Sequence, residues 1–353
     1  MKDTACKILY VLHKKGENSH YKGLVALAEQ NNMQVKFREF SIIGRSLKGI
    51  FKLDGKLYAK QWVNLFFMLG LLFSKNKRVV LGIAPYDYKL RSVLFFLKNH
   101  KVYYHTSWTS WDGSYYPKKK FVTDKLKQKW ADFLETTSEH IFAVSGKTKE
   151  ELTTHYNVPA SKVSVVYHTV DPQFFIDYKV QKKHGSFIYV GRLLEEKGLT
   201  ELLNFFAEKP SYTFTIVGNG TLENMVNEYA AKYPNIVYKG YVSDKEMLAK
   251  LYQEHQFLLM NSQRTERWEE LFGMSIVEAM ACKTIPVATS HSGPKEIIKT
   301  GENGILVQEG KMVSFLENEL LNLDIVKLST NAYQTAVLYT EEEVAKRWEP
   351  ILA

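Results

Sequence analysis

Two consecutive open parallel sheets in an α/β architecture are what this sequence predicts, and three observations predict them. Short apolar runs alternate with amphipathic stretches almost from end to end, the rhythm of buried parallel strands joined by crossover helices. That rhythm breaks once, at Asp171-Pro172 and the polar stretch Asp177–Ser186, and then restarts. The length, 353 residues, is enough for two domains with a core each.

Before the break the expected strands are Lys7–Leu12, Val35–Phe40, Val79–Ile83, Val102–Tyr104, Ile141–Val144 and Val163–Val166. Each is a short run rich in β-branched and aromatic residues, and helical patterns such as Tyr88–Leu97 and Gly146–His155 lie between them. After it the expected strands are Phe187–Val190, Thr213–Val217, Ile236–Tyr238, Phe257–Met260, Ile285–Ala288 and Ile305–Val307. The expected domains are therefore 1–172 and 173–337. The tail, 338–353, reads as a helix packing back on the first. Open sheets of this kind direct ligands to the carboxyl ends of their strands, here toward a cleft between the domains.

Composition narrows the class. Apolar content of 45% and charge of 24% exclude wholesale disorder. Two cysteines, Cys6 and Cys282, make a disulfide framework unexpected and favour a reducing cytosol. Ile8–Leu12 is too short for a signal peptide, and no run approaches the roughly 20 apolar residues that span a bilayer. The closest, Trp62–Phe73, is bracketed by Lys60, Lys75, Lys77 and Arg78; it reads as a buried or interfacial helix, with burial favoured. Charge is uneven: about +14 on residues 1–172 against about −5 on 173–353, so the first half is expected to face something anionic.

Chemistry concentrates in the second half. Glu270 and Glu278 stand eight positions apart in Trp268-Glu269-Glu270-Leu271-Phe272-Gly273-Met274-Ser275-Ile276-Val277-Glu278, the first in a loop and the second in the helix it feeds. A helix N-terminus attracts phosphate through its free amides and its dipole, and carboxylates beside it can accept from sugar hydroxyls. The competing reading is a capping box, with Ser275 and Glu278 only satisfying backbone donors. After Phe187–Val190 comes Gly191-Arg192-Leu193-Leu194-Glu195-Glu196-Lys197-Gly198, where Arg192 offers a phosphate fork and Lys197 a point charge, or both are simply solvated. After Val217 comes Gly218-Asn219-Gly220. A dinucleotide fingerprint would need a third glycine where Glu223 stands, so a nicotinamide dehydrogenase is disfavoured. These glycines either let a nucleoside approach the backbone or form a tight turn.

Taken together, Gly191-Arg192 to Lys197-Gly198, Ile216 to Gly220 and Trp268 to Cys282 resemble the donor half of glycosyltransferase family 4, which has the GT-B fold and retains anomeric configuration. The first half resembles it more loosely, through His105-Thr106-Ser107, Ala143-Val144-Ser145 and Val170-Asp171. The resemblance implies two Rossmann-like domains, with Arg192 and Lys197 on the nucleotide diphosphate and Glu278 on the ribose. It implies that Glu270, with the amides around Phe272 and Gly273, holds the transferred sugar, and that His105 faces it. Gly218 would approach the nucleoside and Gly16 the diphosphate, although the loop His13–Ser19 lacks the paired glycines often found there. His168-Thr169 replaces Asn-Gly, and Lys283 stands where a glycine is usual.

A retaining transferase moving a hexose from a UDP- or GDP-sugar is the resulting expectation. The acceptor would be a glycan or lipid-linked molecule of cell-envelope polysaccharide. No metal or other cofactor is expected: the chain has no Asp-X-Asp, and Arg192, Lys197 and helix amides can take the leaving-group charge. A cytoplasmic protein peripheral to an anionic membrane is expected, because Trp108, Trp111, Tyr115, Tyr116, Lys118, Lys119, Lys120, Lys125, Lys127, Lys129 and Trp130 mix rings with cations. Nucleic acid is not expected as a partner. The rivals are a sugar-nucleotide epimerase on the same fold and a non-enzymatic basic module that binds nucleic acid or membrane.

Overall fold

The computed structural model describes residues 7–15, 18–51, 53–114, 122–266 and 268–353. The chain divides into two compact units, one running to Thr169 and taking in Glu341–Ala353, the other Val170–Thr340.

The first unit holds β1 (Lys7–His13), α1 (Lys22–Gln30), β2 (Met33–Glu39), α2 (Ile42–Phe51), α3 (Gly55–Leu72), β3 (Arg78–Gly82) and α4 (Leu90–Leu97). It continues with β4 (Lys101–Thr106), α5 (Asp124–Asp132), β5 (His140–Ala143), α6 (Gly146–His155) and β6 (Val163–Val165). All strands are parallel, in the order β2-β1-β3-β4-β5-β6. The second unit holds β7 (Lys183–Val190), α7 (Leu199–Ala207), β8 (Thr213–Val217), α8 (Glu223–Lys232), β9 (Ile236–Tyr238), α9 (Lys245–Glu254) and β10 (His255–Met260). It ends with α10 (Met274–Ala281), β11 (Ile285–Thr289), α11 (Ser292–Ile297), β12 (Ile305–Val307), α12 (Met312–Asn318) and α13 (Ile325–Val337); α14 (Glu341–Arg347) returns to the first unit. Its parallel sheet runs β12-β11-β10-β7-β8-β9. The strand order thus reverses between β7 and β10.

Every expected strand is present. The polar break is shorter than expected, because β7 begins at Lys183. Its first residues, Lys183 and His184, are exposed, so an apolar pattern could not reveal them. Aromatic packing fills the second sheet's core: Phe206 stacks on Phe214 at 4.3 Å and Phe187 on Phe257 at 5.3 Å between ring centroids. In the first unit Trp348, after α14, lies 4.3 Å from Phe142, and Arg78 donates to the carbonyl of Leu352 at 2.8 Å.

Two expectations are corrected here. Trp111 and Trp130 are not interfacial: both are buried in one aromatic core with Tyr86, Tyr104 and Phe133. Burying such large rings outweighs any headgroup role. Tyr115, Tyr116 and Lys118–Lys120 lie outside the described residues. The apolar helix, in contrast, is not buried. α3 turns Gln61, Asn64, Met68 and Leu71 inward and leaves Trp62, Val63, Phe66 and Leu69 exposed.

α10 ends in a Schellman motif, with the amide of Thr284 on Ala279 O at 2.9 Å and that of Lys283 on Met280 O at 3.0 Å. The motif puts Lys283 at φ 57°, where its Cβ crowds the backbone. Lys283→Gly is therefore expected to raise stability by about 1 kcal/mol. Urea unfolding of the two proteins checks it, and an unchanged or lower midpoint would contradict it.

Candidate functional site

The second sheet places its site by topology. Where strand order reverses, the loops leaving the two central strands diverge and open a crevice at their carboxyl ends. The loop after β7 supplies Gly191 and Lys197, and the segment after β10 supplies Ser262, Glu270 and Gly273. These residues, with Tyr189, Met260, Met274 and Ser275, line a cavity of about 260 Å³. Gly273, at φ 81°, caps the start of α10 from the left-handed region, so the first amides of that helix open beside the cavity.

At the cavity wall Lys197 and Glu270 form an ion pair, their side chains 11% and 15% exposed. The Lys197 ammonium also sits 4.6 Å from the centroid of the Trp268 ring, a cation–π contact. Glu270 is held through its backbone as well. Its amide donates to Nδ1 of His291 at 3.1 Å, and its carbonyl accepts from the amide of Gly293 at 2.9 Å. With Nδ1 accepting, Nε2 of the fully buried His291 carries the proton and donates to Ser262 O at 2.9 Å. Histidine 291 thus ties the end of β10 to the loop that carries Glu270. No sequence motif singles it out; it stands just beyond the end of β11, after Ser290. Trp268 belongs to the motif, but its contact with Lys197 joins positions far apart in the chain.

Glu278 does not form a capping box. Its carboxylate accepts from Tyr252 Oη at 3.3 Å and pairs with Lys245 at 3.4 Å. Among the described residues no side chain caps α10, and Ser275 instead meets the sulfur of Met260. Burial pushes the Glu278 carboxyl above the ordinary carboxylate range, with Lys245 opposing. Such a group is desolvated and short of donors, suited to accepting from a diol. Arg192 is exposed, and among the described residues its guanidinium has no ion-pair partner.

Gly218 has a structural duty: with φ at 142°, a Cβ there would overlap the carbonyl oxygen of Gly191. The loops after β7 and β8 pack backbone to backbone, with Leu193 N donating to Asn219 O at 2.8 Å. Phe272 rests edge-on against Tyr339, with 6.2 Å between ring centroids. Gly16 lies outside the described residues.

His105 ends β4 in the first unit and is 8% exposed, packed by Tyr21 at 4.8 Å and Trp348 at 5.4 Å between ring centroids. Burial first, then the neighbouring imidazoles of His168, His20 and His13, hold it neutral far below its ordinary range. His168, whose ring lies 4.7 Å from that of His20, is pushed down to about 4, again chiefly by burial.

The comparisons with known proteins fit this geometry. The family model for glycosyl transferases group 1 matches residues 171–333 and that for glycosyltransferase family 4 matches 92–174. HepE of Anabaena, solved in complex with UDP, superposes with a TM-score of 0.66 at 16% identity over 98% of this chain and 99% of its own. These matches support a family 4-like glycosyltransferase with the GT-B fold. An uncharacterized glycosyltransferase of Methanocaldococcus jannaschii is 30% identical over 197 residues, 50% of this chain and 49% of the relative. The capsular polysaccharide biosynthesis glycosyltransferase CapM of Staphylococcus aureus is 24% identical over 56% of this chain and 55% of its own. The chain spans about half the length of these curated relatives.

The histidine cluster makes a prediction for the GT-B first unit. In the folded state His168 titrates near 4, against 6.5 when free. Between those values the unfolded chain binds the extra proton, so stability is full above pH 6.5 and falls as pH drops toward 4. Thermal unfolding is expected to move to lower temperature between about pH 7.5 and about pH 5, and His168→Gln to flatten that slope. A slope unchanged in the variant would contradict it.

Proposed function

We propose that this glycosyltransferase moves a hexose from a UDP- or GDP-sugar, with retention of anomeric configuration. The acceptor in this reading is a glycan or lipid-linked molecule of cell-envelope polysaccharide, met at the inner face of an anionic membrane. The observation that carries it is the Lys197–Glu270 pair at the cavity wall beside the start of α10. A diphosphate and a sugar are the two ligand parts those groups recognise, one anionic and one rich in hydroxyls. Binding the diphosphate draws the Lys197 ammonium to phosphate oxygen, and Glu270 is then free to accept from the sugar. HepE, solved with UDP, and CapM, named for capsular polysaccharide, support the donor and acceptor classes.

In this reading the acceptor hydroxyl attacks the anomeric carbon on the face the diphosphate leaves. The carbon–oxygen bond to phosphate breaks as the new glycosidic bond forms, and the departing phosphate oxygen takes the hydroxyl proton. Arg192, Lys197 and the α10 amides meet the charge that grows on the leaving group.

Two measurements test the reading. Glu270→Ala, at the reacting sugar, is expected to lower kcat by about ten- to a hundredfold, and Glu278→Ala mainly to raise donor KM. Normal kinetics in both, with only earlier melting, would reduce the two carboxylates to structural groups. Transfer is also expected to survive EDTA, since cationic side chains occupy the role a divalent ion would take. A strict magnesium or manganese requirement at saturating donor would overturn that part.

A further inference from the structure

The α2–α3 hairpin is amphipathic in the wrong sense for a core element. Toward the sheet it buries a polar clasp centred on Glu39, which is 1% exposed. Glu39 pairs with Arg45 and Lys60, each at 2.8 Å, and accepts from Gln61 Nε2 at 3.0 Å; its own amide donates to Asn64 Oδ1 at 3.2 Å. Toward the outside it shows a continuous apolar surface. Tyr58, Trp62 and Phe66 follow at four-residue spacing along α3, with successive ring centroids 6.2 and 6.1 Å apart. On α2 Ile43 is 79% and Phe51 83% exposed, and Leu53 in the turn is 93% exposed. A surface of this size is not an ordinary scatter of exposed side chains.

Charge says what covers it. From Ser41 to Arg78 the sequence has eight lysines and arginines and a single acid, Asp54. Of these cations Arg45 and Lys60 turn to Glu39 and Arg78 to Leu352, while Lys56 and Lys75, at either end of α3, are exposed. An apolar face that holds a Trp between such cations matches the boundary between acyl chains and anionic headgroups. Among the described residues no helix is long and apolar enough to cross a membrane, so the match is to lying on the surface.

We propose that the outer face of the α2–α3 hairpin is the docking surface for an anionic lipid bilayer. The proposal gives the membrane partner of the proposed function a defined surface and rests on that part of the reading; it draws nothing from the donor site. Trp62 and Phe66 enter the interfacial layer, Lys56 and Lys75 meet the headgroups, and the Glu39 clasp keeps the hairpin from turning its apolar side inward.

Co-sedimentation of the full chain with vesicles tests it, comparing phosphatidylglycerol mixed with phosphatidylcholine against phosphatidylcholine alone. Binding is expected to the anionic vesicles and to weaken with salt. The double variant Trp62→Glu, Phe66→Glu is expected to lose it by about tenfold or more. Both positions are exposed, so its melting curve and its thermal shift with UDP are expected to match the parent. Brominated lipid is expected to quench tryptophan fluorescence in the parent and much less in Trp62→Phe. Parent-like binding by the double variant would overturn the proposal. So would loss of binding only on changing Lys118, Lys119 and Lys120 to Glu. A parent dimer that ignores vesicles and becomes monomeric in the double variant would show that a second copy covers the face. Vesicle binding without a thermal shift from either UDP or GDP would instead sink the donor reading and leave this one standing.

Discussion

Parallel strands leave all their carboxyl ends on one edge of a sheet, and a reversal of strand order is the one place where the loops above that edge must part. In the second unit that place lies between β7 and β10. The residues at the cavity follow from it. Lys197 is reached from β7 through a short 3-10 turn, and Glu270 is reached from β10 through a longer loop. Their side chains meet across the gap although the two positions are 73 residues apart. The Gly191–Gly218 contact belongs to the same constraint. With β7 and β8 adjacent, their loops must pass backbone on backbone, and only glycine leaves room at that crossing.

Placing a lysine and a carboxylate at that gap has an energetic consequence. Each charge is largely withdrawn from water, and removing one partner of such a pair typically costs about 3–5 kcal/mol, because the other is left uncompensated. The supporting contacts act on both partners: the Trp268 ring faces the ammonium, and His291 with Gly293 pins the Glu270 backbone. A phosphate oxygen can take the place of the carboxylate beside Lys197, and Glu270 then needs donors of its own, such as hydroxyls. Glu278 is poised differently. Its two partners are long contacts, Lys245 at 3.4 Å and Tyr252 at 3.3 Å, so its carboxylate stays available to stronger donors.

Much of this was legible in the sequence, and the parts that were not share a cause. Buried parallel strands are apolar on both faces, so twelve short runs announced twelve strands. The polar start of β7 lacked that signal. Lys197, Glu270 and Glu278 could be named from their motifs, but the ion pair, the cation–π contact and the His291 anchor join positions separated along the chain. Periodicity cannot report those. Aromatic and basic residues mixed along 108–130 carried two meanings, and burial removes Trp111 and Trp130 from the interfacial one.

The Trp62–Phe73 segment shows the same limit from the other side. Its apolar content signalled a surface to be removed from water, but not which surface would remove it. Gln61 and Asn64, three residues apart, put two amides on the face that meets Glu39: Gln61 donates to its buried carboxylate and Asn64 accepts from its backbone amide. Once that face is committed inward, helical geometry leaves Trp62, Phe66 and Leu69 nowhere to go but outward. A polar anchor of three side chains therefore decides the orientation of a much larger apolar face. The cost of exposing that face is recovered only if something apolar lies against it.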